Sequence, residues 1–221
     1  HNTALDIYGI GGSECASLGA KLYYTDKDVS VIGFAEVVKR YLFFRNVFRK
    51  MVSLLDDPYT KPDVVFLVDY PGFNLRFAKE AKKRDIKVIY YVSPQVWAWK
   101  QSRVHKIKRT VERMFVILPF EKEFYQKFDF AVDFVGHPLL DALEDKQSTF
   151  PNRNDFLSNN NLGAKPIIAL LPGSRKQEIE TMLPLMLSVR NSFPEYQFVI
   201  AGAPSQPETF YTQILNGEKL P

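Results

Sequence analysis

Cysteine is almost absent from this chain: Cys15 is the one thiol in 221 residues. A single thiol excludes an internal disulfide framework and fits a reducing compartment. Long apolar runs are missing as well. No stretch approaches the roughly 20 residues needed to span a bilayer, and no secretory leader is recognisable. Histidine is scarce at 3, and no His or Cys pair has metal-ligand spacing. Gly9-Ile10-Gly11-Gly12 is too short to count as a dinucleotide fingerprint, and there is no Walker loop. No metal and no cofactor are therefore expected. The chain also lacks a dominant charge: 29 basic against 25 acidic residues give +4. Without a long basic block, nucleic acid is not an expected partner.

What is present is a folded, aromatic-rich composition, 46% hydrophobic and 24% charged, with 18 Phe and 11 Tyr. Short β-type runs alternate with helix-length segments, which predicts right-handed βαβ crossovers and an open parallel α/β sheet. Leu5 to Ile10 reads as a first strand. Val64 to Asp69 is a continuous apolar run, as in a parallel strand buried on both faces. Val88 to Val92 and Met114 to Leu118 repeat it, with helices near 73–84 and 101–113. Residues 145–165 are polar and rich in Asn and Ser, which suggests a linker between a unit at 1–144 and a second at 166–221. That second stretch offers two strands and about two helices, so the second half is expected to be incomplete.

Several residues stand where chemistry is done. Asp69 ends an apolar strand, and ligands of open α/β sheets bind outside the carboxyl ends of strands. A carboxylate there suits a general base acting on a sugar hydroxyl; an N-cap or turn aspartate suits the spacing equally well. Trp97 and Trp99 follow the next strand and fit either stacking on a sugar or packing under a loop. Arg103 and Lys106, three apart, share a helix face suited to phosphate or simply to solvent. Gly173-Ser174-Arg175 forms a turn into a helix that opens with Glu178, a setting in which free backbone N–H groups and an arginine fork receive an anion. A plain strand–helix turn fits the same residues, Pro172 to Arg175, equally well. Residues 35–55 carry more apolar side chains than one buried stripe needs. Tyr41, Phe43, Phe44 and Phe48 lie beside Arg45 and Arg49, the profile of an interfacial helix or of a core helix with a basic face. His137, before Pro138, is expected to cap a helix.

Taken in order, GIGG, VSVIGFAEV, VDYPGFN, YYVSPQVWAW, LPFEKEFY, VGHPL and LLPGSRKQEIE resemble the lipid-A-disaccharide synthase family over about residues 5 to 204. The resemblance implies a GT-B architecture of two Rossmann-like halves and an inverting glycosyl transfer. In that transfer UDP-2,3-diacylglucosamine meets 2,3-diacylglucosamine 1-phosphate (lipid X) and yields a β-1,6-linked disaccharide 1-phosphate and UDP. It assigns Asp69 as base and the Gly173, Ser174, Arg175 and Glu178 turn to the donor. Asn74, Trp97, Trp99, Arg103 and Lys106 are then expected at the acceptor. Tyr41, Phe43, Phe44, Arg45, Phe48 and Arg49 are expected at an anionic membrane surface, which makes the protein cytoplasmic and peripheral on the inner membrane, with a second copy of the chain as a candidate partner. Gly72 departs from the pattern, standing where the family usually has a second Asp. The family pattern also extends beyond both ends, so these 221 residues alone are not expected to turn over. The competing readings are another UDP-sugar enzyme, such as a UDP-N-acetylglucosamine 2-epimerase, and a peripheral lipid-binding module.

Overall fold

The structure, a computed structural model, describes residues 5–25, 28 and 37–215. The VSVIGFAEV motif therefore lies outside the described residues, apart from the backbone of Val37. The chain divides into two compact units, His1–Leu143 and Glu144–Pro221.

In the first unit, β1 (Tyr8–Gly11), α1 (Ser13–Ser17) and β2 (Lys21–Thr25) make a two-stranded parallel sheet. Helix α2 (Val37–Leu54) follows. Next come β3 (Val64–Val68), α3 (Pro71–Lys82), β4 (Lys87–Tyr91), α4 (Val96–Trp99) and α5 (Val104–Thr110), then β5 (Arg113–Val116), α6 (Pro119–Gln126) and β6 (Asp133–Phe134). Strands β3-β4-β5-β6 pair in sequence order and all in parallel. The second unit carries α8 (Arg153–Asn159), β7 (Ile167–Leu170), α9 (Lys176–Ser188), β8 (Gln197–Ile200) and α10 (Glu208–Ile214), reached through α7 (Pro138–Gln147). β7 and β8 are again parallel. The parallel α/β expectation holds.

Periodicity explains which faces are buried. Val47, Met51 and Leu54 form one stripe of α2, and Val104, Ile107 and Val111 form one stripe at α5, all in the core. Ala78 and Ala81 of α3 are fully buried; their small side chains let the helix backbone lie close to the sheet. These helices gather with Val65 and Leu67 of β3, Val88 and Tyr90 of β4, and Met114 and Val116 of β5 into one cluster.

The opposite face corrects the sequence reading of β3. Val64, Phe66 and Val68 are 42%, 57% and 49% exposed, so the strand is buried on one face and not on both. Its helices α2 and α3 belong to the cluster on the Val65–Leu67 side. The stretch 145–165 is also not bare connection: Asn152 caps α8 by accepting from the Asp155 N–H at 3.0 Å. The segment 101–113 breaks into a 3-10 turn, Gln101–Arg103, and the short α5.

The second unit rests on a small cluster in which Ile179 and Leu183, four apart on α9, meet Leu170, Phe198, Phe210 and Tyr211. Leu183→Ala should cost about 2–5 kcal/mol. Hydrogen exchange should show lost protection in β7 and β8 first, with the β3–β6 sheet unaffected.

Candidate active site

Because β3 to β6 run in parallel, their carboxyl ends leave at one edge. Asp69 stands there, and its own N–H extends the ladder by donating to the Tyr91 carbonyl at 2.9 Å. Asp69 and Tyr70 both adopt left-handed backbone, each with φ 44°. The N-cap of α3 is Tyr70, and no side chain caps it. Asp69 is thus not a capping aspartate. It is exposed, and its carboxylate makes no hydrogen bond or ion pair among the described residues. Asn74, expected at the acceptor, spends its amide nitrogen on the carbonyls of Val68 and Asp69, at 2.9 and 2.7 Å.

Val92 follows β4 in left-handed backbone, φ 62°, a strained setting for a β-branched residue. It delivers Ser93 into the interior, where the hydroxyl donates to Glu121 Oε1 at 2.5 Å. Glu121 is 1% exposed, and its Oε2 accepts from the Leu118 N–H at 3.0 Å, closing the first turn of α6. The loop carrying the tryptophans is thereby tied to the next strand–helix junction.

The two tryptophans separate. Trp97 packs edge-on against Phe120 at 4.9 Å and joins the core. Trp99 is 69% exposed, and Arg103 lies over its ring at 4.8 Å. Lys106 is exposed on α5. Arg103 is therefore held by an aromatic face as well as being available to an anion. His137 caps as expected, its Nδ1 accepting from the Leu139 N–H at 3.1 Å.

Helix α2 also divides its candidates. Phe43 and Phe48 pack on the core, Phe48 meeting Phe73 edge-on at 5.3 Å, so these two are not free lipid-facing rings. Tyr41, Arg45 and Arg49 are exposed, and Phe44 is half-buried. A groove of about 480 Å³ opens between α2 and α3, with Tyr41, Phe44, Phe48 and Phe73 as its apolar wall, Arg45, Arg76 and Lys79 as cations, and Glu80, itself paired with Lys83 and Arg84, as its one carboxylate. None of the three cations pairs with a carboxylate among the described residues. Among the described residues no helix is long and apolar enough to cross a membrane.

In the second unit the turn after β7 is built as expected, with Gly173 at φ 108°. Its amides, however, are engaged. Glu178 Oε2 accepts from the N–H groups of Ser174 and Arg175, at 3.4 and 3.2 Å. Arg175 Nη1 reaches Glu178 Oε1 at 3.0 Å. Those amide hydrogen bonds, chiefly Arg175's, hold the Glu178 carboxyl below its ordinary range. A Cβ on residue 173 would come within 2.8 Å of Glu178 Oε2, so the turn needs glycine for space as well as for φ. An incoming anion competes with this carboxylate for the amides.

Tyr90 and Glu121 were missed in the sequence. Tyr90, fully buried, sends its hydroxyl to the Asp69 carbonyl at 2.5 Å. The hint was a polar tip on the inward side of an alternating strand. For Glu121 the hint was its place three residues after Leu118, with Pro119 between, the spacing of a helix start.

Two α/β units with ligand-type turns at strand ends define a GT-B-like class, and solved structures agree in fold. UDP-GlcNAc 2-epimerase from Neisseria meningitidis bound to UDP-GlcNAc matches with a TM-score of 0.59 at 11% identity, over 98% of this chain and 71% of that one. The S. aureus MnaA–UDP structure matches with a TM-score of 0.56 at 10% identity, over 98% and 68%. The sequence is more specific. The family model for lipid-A-disaccharide synthetase matches residues 1–220. Lipid-A-disaccharide synthase of Trichlorobacter lovleyi is 40% identical over 99% of this chain and 57% of its own length. Those of Coxiella burnetii (40%, over 89% and 52%) and Legionella pneumophila (synthase 1; 42%, over 89% and 51%) are similar. The chain belongs to the lipid-A-disaccharide synthase family, as its motifs implied. It spans about half the length of these curated relatives.

Burial, with the Glu121 charge adding and Ser93 opposing, pushes the Tyr125 phenol up to about 12. An unfolded tyrosine ionises near 10. The associated stability is whole below pH 10 and is lost as pH rises towards 12, up to roughly 2 kcal/mol. Urea unfolding from pH 9 to 12 should show this fall, and Tyr125→Phe should make it shallower, leaving the part that the buried Tyr90 phenol contributes in the same direction.

Proposed function

We propose that this chain contributes the acceptor side, and the beginning of the donor side, of a glycosyltransferase that joins UDP-2,3-diacylglucosamine to lipid X. The observation that carries the reading is the Asp69 carboxylate: exposed, committed to no partner among the described residues, and standing at the carboxyl edge of a parallel sheet in a chain of this family. Asp69 takes the proton from the acceptor's sugar hydroxyl as that oxygen bonds to the donor's anomeric carbon. The bond from that carbon to the UDP oxygen breaks, and UDP leaves with the electron pair. Arg175 and the amides of Ser174 and Arg175 stabilise the leaving diphosphate once Glu178 gives them up.

The acceptor is acylated and phosphorylated, and the α2–α3 groove offers an apolar wall with three cations to match. The exposed Trp99 and the half-buried Arg103 over its ring, with Lys106 beside them in sequence, add a second aromatic and cationic surface for the acceptor. The same exposed residues, Tyr41, Arg45 and Arg49, support peripheral attachment to the cytoplasmic face of an anionic membrane, where the lipid substrates reside. A second copy of the chain is retained as a partner in solution.

Disaccharide formation by the full-length protein tests the reading. Asp69→Asn should lower turnover about 10²–10⁴-fold, the usual weight of a general base. Wild-type-like turnover in that variant rejects Asp69 as the base. For the membrane, Tyr41→Ser combined with Phe44→Ser should reduce co-sedimentation with phosphatidylglycerol vesicles several-fold. The remaining binding should weaken with added salt.

A further inference from the structure

We propose that Tyr90 and Asn74 are positioning residues that lock the left-handed Asp69–Tyr70 corner and thereby set the direction of the Asp69 carboxylate. The inference rests on the reading of Asp69 as the base and adds how that base is aimed.

Two consecutive non-glycine residues at φ 44° are costly and persist only where surroundings over-determine them. Here the determinants are visible. Asn74 Nδ2 donates to the carbonyls on both sides of the Asp69 N–Cα unit, Val68 at 2.9 Å and Asp69 at 2.7 Å. Tyr90 Oη, arriving from β4, donates to the same Asp69 carbonyl at 2.5 Å. The Asp69 N–H is fixed on Tyr91 at 2.9 Å. Both peptide planes flanking the residue are therefore held, one grip coming from the helix and one from the neighbouring strand. With the planes fixed, the Cα–Cβ bond has one direction, and the carboxylate, without a partner among the described residues, is confined to the positions its own side-chain torsions reach from there. Tyr90 is 0% exposed, so its ring cannot swing away. Burial, with the Asp69 charge adding, raises its phenol, which keeps the donating proton in place.

Tyr90→Phe removes one hydroxyl and preserves the ring. In the full-length protein, kcat for disaccharide formation should fall about 10–100-fold, the scale of a small misplacement of a reacting group. KM for both substrates should stay within about twofold, and the melting temperature should stay close to wild type. Asn74→Ser should act in the same direction. The double variant should lose less than the product of the two single losses, since both grip one carbonyl. Unchanged kcat in Tyr90→Phe, a loss confined to KM, or a loss matched by a lower folded fraction overturns the proposal. Asp69→Asn is run in parallel. If it turns over normally, the base reading itself fails; if it is inactive while Tyr90→Phe is not, only the positioning role fails.

Discussion

Parallel pairing is the constraint on which the rest depends. A parallel ladder requires each strand to return through a crossover before the next begins, so every strand–helix junction of β3 to β6 falls on the same edge. Residues at least 24 apart in sequence, Asp69, Ser93 and Leu118, thus reach one edge of the sheet without any of them being selected for contact with another. The register keeps the rim level: Val68 lies opposite Tyr91, and the ladder continues into Asp69 and Val92 through bonds of 2.9 and 3.1 Å. Strain collects at this rim, at Asp69, Tyr70 and Val92, because the strand must turn sharply while its last carbonyls are still bonded.

The two units treat their carboxylates differently, and the difference follows from the hydrogen-bond inventory. At the α9 turn, the free amides of a helix start attract Glu178 three residues on, which satisfies them locally. At the α3 start, Pro71 at the first position brings no N–H, Tyr70 brings no capping oxygen, and Asn74 points back at carbonyls and not at amides. Asp69 is left without a local donor. On the proposed reading, the unengaged anion at a strand end suits a base, whereas the engaged one would have to yield its amides to a diphosphate.

Much of this was legible in the sequence, and the failures share a cause. The strands at 64–68, 87–91 and 113–116 and the alternation that makes the sheet parallel follow from local apolar runs. The place of Asp69 at a strand end was legible because strand ends are marked by such runs. Local patterns could not say how many faces of β3 are covered, since Val64, Phe66 and Val68 look the same whether or not a layer lies above them. They also could not separate Trp97 from Trp99, or Phe48 from Phe44, because one helical step decides which ring meets the core. Glu178 was read as an acidic helix opening, and its closure onto the turn is a matter of three-dimensional reach. Tyr90 escaped because its role is to bond a backbone carbonyl of another strand, for which no residue spacing codes.

The groove and the corner are one mechanical piece. Tyr70, Phe73 and Phe77 stack along α3 at 6.2 and 6.1 Å, and Phe48 of α2 closes on the last two at 5.3 and 6.3 Å. A ligand pressing on this wall therefore pushes on the helix whose first turn holds Asp69. Gly72 gains meaning in this setting. It lines the groove together with Arg45 and Arg76, and a Cβ there would meet nothing within 4 Å, so packing does not demand glycine. Gly72 leaves open space beside cations that pair with no carboxylate among the described residues. A carboxylate at that point would neutralise them and shorten the apolar wall. With glycine there, the groove's lining keeps three cations against the one carboxylate of Glu80, and Asp69 is the sole acid of its own motif.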